Sequence, residues 1–279
     1  MNRYVAIGCS DNHNYSFFLP MVTLLWRRVG YVPVFTLNET RADWQGSRRG
    51  LPVLEALEEL EAKLVFVGPV PGYLENTIAQ SSRHYLASDA TYWHDDLLIM
   101  SDADLLPIRK EFYYQHNPEK YPVGLYYSNA YLPEKDHFPT CHMSAPFRVW
   151  REVYEMDLGL SLSENMVRHF ERAKLKEYPD NMEIWYFDQR YGSGRFAQSK
   201  YFPDQCQLIE RQGCPPHDRI DRCRWPDSYD ATQYTDCHAL RPGWDEKNWP
   251  RLRPLFEQLL PERIGFLDAY RARFLEAMR

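Results

Sequence analysis

The chain has 279 residues, enough to bury a large core in one α/β domain rather than two equal ones. Charged residues at 26% and hydrophobic ones at 44% exclude extensive disorder, and a net charge of −6 argues against a general nucleic-acid binder, which needs a basic face. No stretch has the length and apolarity of a membrane span, and Met1-Asn2-Arg3 leads straight into Tyr4-Val5-Ala6-Ile7 without a signal-peptide pattern, so the expectation is a cytoplasmic protein with reduced thiols.

Tyr4-Val5-Ala6-Ile7-Gly8-Cys9 reads as a first strand, followed by a loop from Ser10 to Asn14. Asp11, Asn12 and Asn14 are available to cap a helix over 15–29, which Gly30 closes. Val32-Pro33-Val34-Phe35-Thr36-Leu37 predicts a second strand, completing a right-handed βαβ unit. The first loop lacks Gly-x-Gly-x-x-Gly, which disfavours a dinucleotide fold of the oxidoreductase type. Residues 38–50 are polar and Arg-rich and read as a loop. Leu54, Leu57 and Leu60 predict a short helix, and 63–68 a third strand. From Tyr73 to about Ala87 an apolar stripe of Leu74, Ile78, Tyr85 and Leu86 predicts another helix. Arg83 lies off that stripe, either as a solvated arginine or as the partner of an anionic ligand.

The most informative stretch is Leu97-Leu98-Ile99-Met100-Ser101-Asp102-Ala103-Asp104. An uninterrupted apolar run is how a strand buried on both faces reads, and this one ends in two carboxylates. If the chain is still extended there, Asp102 and Asp104 point to the same side and converge. Converging anions repel unless a cation sits between them, and hard oxygen ligands suit Mg²⁺ or Mn²⁺. A solvated turn or a helix cap is the plainer alternative. The small residues Ser101 and Ala103 and the return of Leu105-Leu106-Pro107 to apolar character favour a site.

Beyond it, 105–140 is rich in Tyr and Pro, with Val123-Gly124-Leu125-Tyr126-Tyr127 a candidate strand. Tyr131 and Pro133 belong to this run. A helix is predicted over 147–156, another over 163–176, and two more between Trp249 and Arg279. His142 reads as a structural histidine, with a place in a pocket as the alternative. Residues 198–232 look like irregular loops. The six cysteines, Cys9, Cys141, Cys206, Cys214, Cys223 and Cys237, read as reduced thiols; Cys206, Cys214 and Cys223 with His217 offer zinc-ligand types as the alternative, without a Cys-x-x-Cys pair to support it. Aromatics reach 15%, with 20 Tyr and 8 Trp, which suits either a sugar-binding cleft or an aromatic core.

With its strand ending in Asp-x-Asp, the sequence resembles the GT-A glycosyltransferases, retaining glycogenin-like members included. The resemblance implies a Rossmann-like α/β fold with a mixed, mostly parallel central sheet flanked by helices. It spans 1–245 as the transferase domain, with 246–279 as a helical extension of the same domain. It implies a nucleotide-sugar donor, UDP-linked rather than GDP-linked, and a carbohydrate or other hydroxyl acceptor. Mn²⁺ (or Mg²⁺) would be held by Asp102 and Asp104, with His238 completing the shell. Cys9, Ser10 and Tyr15 would edge the base or ribose, and Ser101 and Ala103 would flank the metal ligands beside the donor. Arg83 and Arg241 would compensate the diphosphate, and Trp244 would close over it. Asp188 and Gln189, in the run Met182-Glu183-Ile184-Trp185-Tyr186-Phe187-Asp188-Gln189-Arg190, match the carboxylate and amide beside the anomeric carbon, which favours retention. An anionic group there meets a developing oxocarbenium charge, although Asp188 could equally cap the next helix. The competing readings are a metal-dependent nucleotidyltransferase, whose Gly- and basic-rich phosphate loop is missing around Cys9 to Asn14, and a non-catalytic carbohydrate-binding relative.

Overall fold

The computed structural model describes residues 1–128, 138–175, 186–210 and 218–279. Strand β1 (Arg3–Cys9) leads through two short helical pieces, α1 (His13–Ser16) and α2 (Leu19–Arg28), into β2 (Val32–Asn38). The single helix expected over 15–29 is thus broken at Phe17 and Phe18, because Pro20 sits in the first turn of α2, where its missing N–H costs nothing. The expected loop at 38–50 contains α3 (Arg41–Gly46), started by a reciprocal capping box between Thr40 and Asp43. Helix α4 (Gly50–Glu59), β3 (Lys63–Gly68) and α5 (Glu75–Ser82) follow, and α5 tightens into a 3-10 turn at Arg83–Ser88 before β4 (Leu97–Ser101).

After β4 come β5 (Leu105–Pro107), α6 (Lys110–Tyr113), β6 (Val123–Tyr126), β7 (Met143–Pro146), α7 (Phe147–Val153) and α8 (Leu162–Arg172). The start of α8 is fixed by a second capping box, Ser161 with Glu164. Then follow α9 (Phe187–Ala197), β8 (Cys206–Ile209), β9 (Arg219–Asp221), β10 (Asp236–His238), α10 (Trp249–Leu259) and α11 (Ile264–Met278). The stretch expected to be loops over 198–232 therefore carries two strands. Tyr131, Pro133, Lys176, the segment from Met182 to Trp185, Cys214 and His217 lie outside the described residues.

Among the described residues the main sheet has the order β3-β2-β1-β4-β7-β6-β8. Strands β1 to β4 are parallel, and β7 runs antiparallel to both β4 and β6, giving the expected mixed, mostly parallel sheet flanked by helices. The apolar run is buried on both faces as its sequence requires. Ile99 packs with Val5, Ile7 and Phe35 on one side, and Leu98 and Met100 pack with Ala6 and Ala145 on the other. Aromatics fill these layers: Trp26, Trp44, Trp150, Tyr85, Tyr126 and Tyr154 are fully buried. The aromatic excess is mainly core. The C-terminal helices cover one face, where Tyr270 stacks on Phe17 at 5.4 Å and Phe274 meets it edge-on at 5.0 Å. No described helix is long and apolar enough to cross a membrane.

A second sheet of three strands, β5-β10-β9, sits beside the end of β4. It pairs His238 with Leu105 in antiparallel register and His238 with Asp221 in parallel register. This small sheet ties residues far apart in sequence to the carboxylates that follow β4. On the other side, α5 lies so close to β1 that a Cβ on Gly8 would fall 1.8 Å from the Ala79 carbonyl oxygen. Gly8→Ala is therefore expected to cost about 1–3 kcal/mol in urea unfolding, because backbone cannot yield as a flexible side chain does. An unchanged midpoint would show that α5 is free to retreat.

Candidate active site

The C-terminal ends of β1 and β4 open into a cavity of about 340 Å³, within the range of small-molecule sites and at the edge where open α/β sheets bind ligands. Asp102 and Asp104 both line it, but not on extended backbone as the alternation argument expected. The chain turns at once, with the Leu105 amide donating to the Asp102 carbonyl at 3.3 Å. The turn sends the two carboxylates to different cations. Asp102 is bound by the Arg83 guanidinium, while Asp104 Oδ2 lies 2.7 Å from Arg222 Nη1, 3.3 Å from Arg241 Nε and 3.4 Å from His238 Nε2. The Ala239 amide also donates to the Asp104 carbonyl at 3.0 Å, fixing the turn to the end of β10.

Arg83 is not the solvated surface residue that its helical position allowed. It is 4% exposed, because the tightening after α5 rotates it inward. Its Nη1 donates to the Ser101 carbonyl at 2.6 Å as well as to Asp102, and its Nη2 donates to Asp188 at 2.8 Å. One buried guanidinium thus bridges the strand end and the start of α9. Asp188 does not cap that helix, since the N-cap is Tyr186 with no side-chain capping bond. Its carboxylate lines the cavity, as does Gln189, whose amide donates to the Phe138 carbonyl at 3.3 Å.

Charge explains the protonation states. Burial alone would push Asp102 up, but Arg83 outweighs it and holds the carboxyl well below its usual range. Burial likewise opposes ionisation of Asp188, and the neighbouring His84 imidazole and the charge of Arg83 outweigh it. Asp104 is held down against burial by His238 and Arg241. His238 is raised against burial by Asp104 and Asp221. The cavity is therefore a set of ionised acids, each neutralised by protein cations.

Cys9, Ser10 and Tyr15 also line it, and the Arg241 guanidinium covers the Tyr15 ring at 4.4 Å. The Cys9 thiol is pushed far up by burial, with Asp104 adding to it, so it serves as a neutral wall. Ala103 also lines the cavity, but three other expected residues, Arg241, Ser101 and Trp244, do not. Arg241 stands behind the lining, against Asp104 and Tyr15. Ser101 is fully buried at the end of β4 and contributes its carbonyl to Arg83. Trp244 is 8% exposed, packed against Phe17, Phe274 and His13. It is a core residue rather than a lid, because Gly243 lets the chain press onto Phe18. His142 is structural: it is fully buried, with Nδ1 3.0 Å from the Met100 carbonyl.

Arg219, Arg222 and Cys141 line the cavity without having been anticipated. Arg219 is held by Asp236 through two bonds of 2.6 and 2.7 Å and lies over Tyr127 at 4.5 Å. The sequence signal was the alternation Arg219-Ile220-Asp221 facing Asp236-Cys237-His238, hidden in a stretch dense in Pro and charge.

The donor chemistry here fits a divalent ion. Two ligand atoms sharing a small hard cation at about 2.1 Å stand roughly 3.0–3.4 Å apart, and Asp104 Oδ2 and His238 Nε2 are separated by 3.4 Å. Asp102 lines the same space with a side chain 35% exposed. Among the described residues no three such groups are gathered tightly enough to hold an ion as they stand, because Arg83 draws Asp102 toward Asp188.

No protein-family model and no curated protein sequence matches this chain. Solved structures similar to it include the apo form of the glycosyltransferase GlyE of Streptococcus pneumoniae TIGR4, at 13% identity and a TM-score of 0.43, covering 75% of this chain and 45% of that one. The galactosyltransferase LgtC, in complex with donor and acceptor sugar analogues, is similar at 12% identity and a TM-score of 0.42 over 94% of both chains. A Drosophila β-1,4-galactosyltransferase 7 variant, in complex with manganese, UDP-Gal and xylobiose, is similar at 16% identity and a TM-score of 0.31, covering 73% of this chain and 77% of that one. This chain spans about 45% of the length of the GlyE chain.

Proposed function

We propose that this chain is a GT-A-type glycosyltransferase that takes a sugar from a nucleotide diphosphate donor, UDP-linked in preference to GDP-linked, and passes it to a hydroxyl acceptor with retention. The observation that carries this reading is the meeting of Asp102, Asp104, His238, Arg83 and Asp188 around one cavity at the sheet edge. Random surface carboxylates do not collect at the end of a doubly buried strand together with a buried arginine and an imidazole from 134 residues later (238 − 104).

Asp102, Asp104 and His238 would hold Mn²⁺ or Mg²⁺, which when bound supplies positive charge to the diphosphate leaving group as the glycosidic bond breaks. The rest is done by the chain itself. Arg241 and Arg222 present guanidinium donors to the phosphate oxygens. Tyr15, Cys9 and Ser10 form the wall for base and ribose. Asp188 stays ionised at neutral pH and offers an anion to the developing positive charge at the anomeric carbon. Gln189 adds an amide to the sugar hydroxyls.

Calorimetry with UDP is expected to show binding that requires Mn²⁺, and Asp104→Ala is expected to abolish it while the protein stays folded. UDP binding of equal strength in the presence of a chelator would contradict the metal reading. Sugar binding that ignores Mn²⁺ and tolerates Asp102→Asn would identify a non-catalytic carbohydrate-binding protein instead. A screen of UDP- and GDP-sugars for nucleotide release then settles the donor.

A further inference from the structure

Three cations crowd a single oxygen of Asp104. Arg222, Arg241 and His238 all converge on the same oxygen, at 2.7, 3.3 and 3.4 Å. Only Arg222 donates a hydrogen bond to it; Arg241 and His238 stand at ion-pair distance. The three are not equally fixed. His238 sits on β10 and also faces Asp221 through Nδ1 at 3.6 Å. Arg241 is laid over Tyr15. The Arg222 side chain is the most exposed of the three, at 29% against 23% and 22%, and starts a single 3-10 turn, Arg222–Arg224.

We propose that Arg222 is an exchangeable counter-ion of the donor site, holding Asp104 in the metal-free protein and turning to the diphosphate when a divalent ion takes its place on that carboxylate. This rests on the donor-site reading above. The physical reason is charge: a guanidinium and a divalent cation repel at one carboxylate oxygen, and Arg222, the most exposed of the three cations, is the one bonded to that oxygen. Its side chain already lines the cavity, so the displaced guanidinium needs only a change of rotamer to meet an anionic ligand. Arg222 is thereby a positioning and binding residue whose two partners are used in turn.

The exchange predicts effects of opposite sign, which a merely structural arginine would not give. Mn²⁺ titrated alone is expected to bind Arg222→Gln about two- to fivefold more tightly than the unmodified protein, the scale of a part-exposed ion pair removed from competition. UDP titrated at saturating Mn²⁺ is expected to bind the same variant about tenfold more weakly, since one charge-assisted contact is lost. Arg224→Gln, an exposed neighbour in the same turn, is the control expected to change neither. Weaker or unchanged Mn²⁺ binding by Arg222→Gln overturns the proposal, as does unchanged UDP binding. Should the unmodified protein bind Mn²⁺ but no UDP, the donor reading fails, and with it the second half of the exchange.

Discussion

Arg83→Met is expected to lower the free energy of unfolding by about 3–5 kcal/mol at pH 7, the cost of leaving buried charge without its partner. Methionine fills much of the same volume, so the loss is electrostatic rather than a cavity. Most of it falls on Asp188, whose side chain is 8% exposed, against 35% for Asp102, where water screens part of the change. The pH dependence follows in sign. With Arg83 present both carboxyls sit below their usual range, so their contribution is full above about pH 4 and is lost as pH falls further. Without Arg83, burial prevails and the carboxyls prefer to be protonated in the fold. The deficit of the variant should therefore shrink between pH 7 and pH 4.5. Urea unfolding at both values reads it directly. A deficit below 1 kcal/mol, or one independent of pH, would show that the bridge is dispensable.

Much of this arrangement could be read from the chain because local chemistry forces it. Leu97 to Met100 has no polar face, so it must lie between two layers, and the acids that follow must emerge at the sheet edge. The pairing of Asp104 with His238 was legible only through the resemblance, since nothing local says that β10 lies against β5. The same non-local pairing explains why Arg219 and Arg222 were missed. Strand β9 has only three residues and no apolar run to announce it. The helix pattern over 73–87 misled at Arg83 for a different reason. A periodicity of 3.6 assigns Arg83 to the outer face, and the 3-10 turn that begins at Arg83 has a different period. Trp244 illustrates the reverse error. A tryptophan near a ligand site suggests a lid, yet its large apolar surface is satisfied by Phe17 and Phe274.

The second large effect concerns Asp188. Asp188→Asn is expected to reduce sugar transfer by about a thousandfold while leaving Mn²⁺-dependent UDP binding within about threefold. The contrast is the point, because the donor's nucleotide would lie along Tyr15 and the Asp102–Asp104 turn, whereas Asp188 would face the sugar. Asparagine keeps the shape and keeps one oxygen to accept from Arg83 Nη2, now 2.8 Å from the carboxylate. It removes only the negative charge. His84 Nε2 lies 3.9 Å from that same oxygen, beyond hydrogen-bond reach, and its Nδ1 stays 2.8 Å from the Tyr154 hydroxyl, so the substitution breaks no bond on that side. Loss of turnover with binding intact places the charge of Asp188 in the reaction rather than in assembly of the site. If Asp188→Asn instead turned over at near-normal rate, the carboxylate would be only an anchor for Arg83, and the anion at the anomeric carbon would have to be sought elsewhere along the cavity.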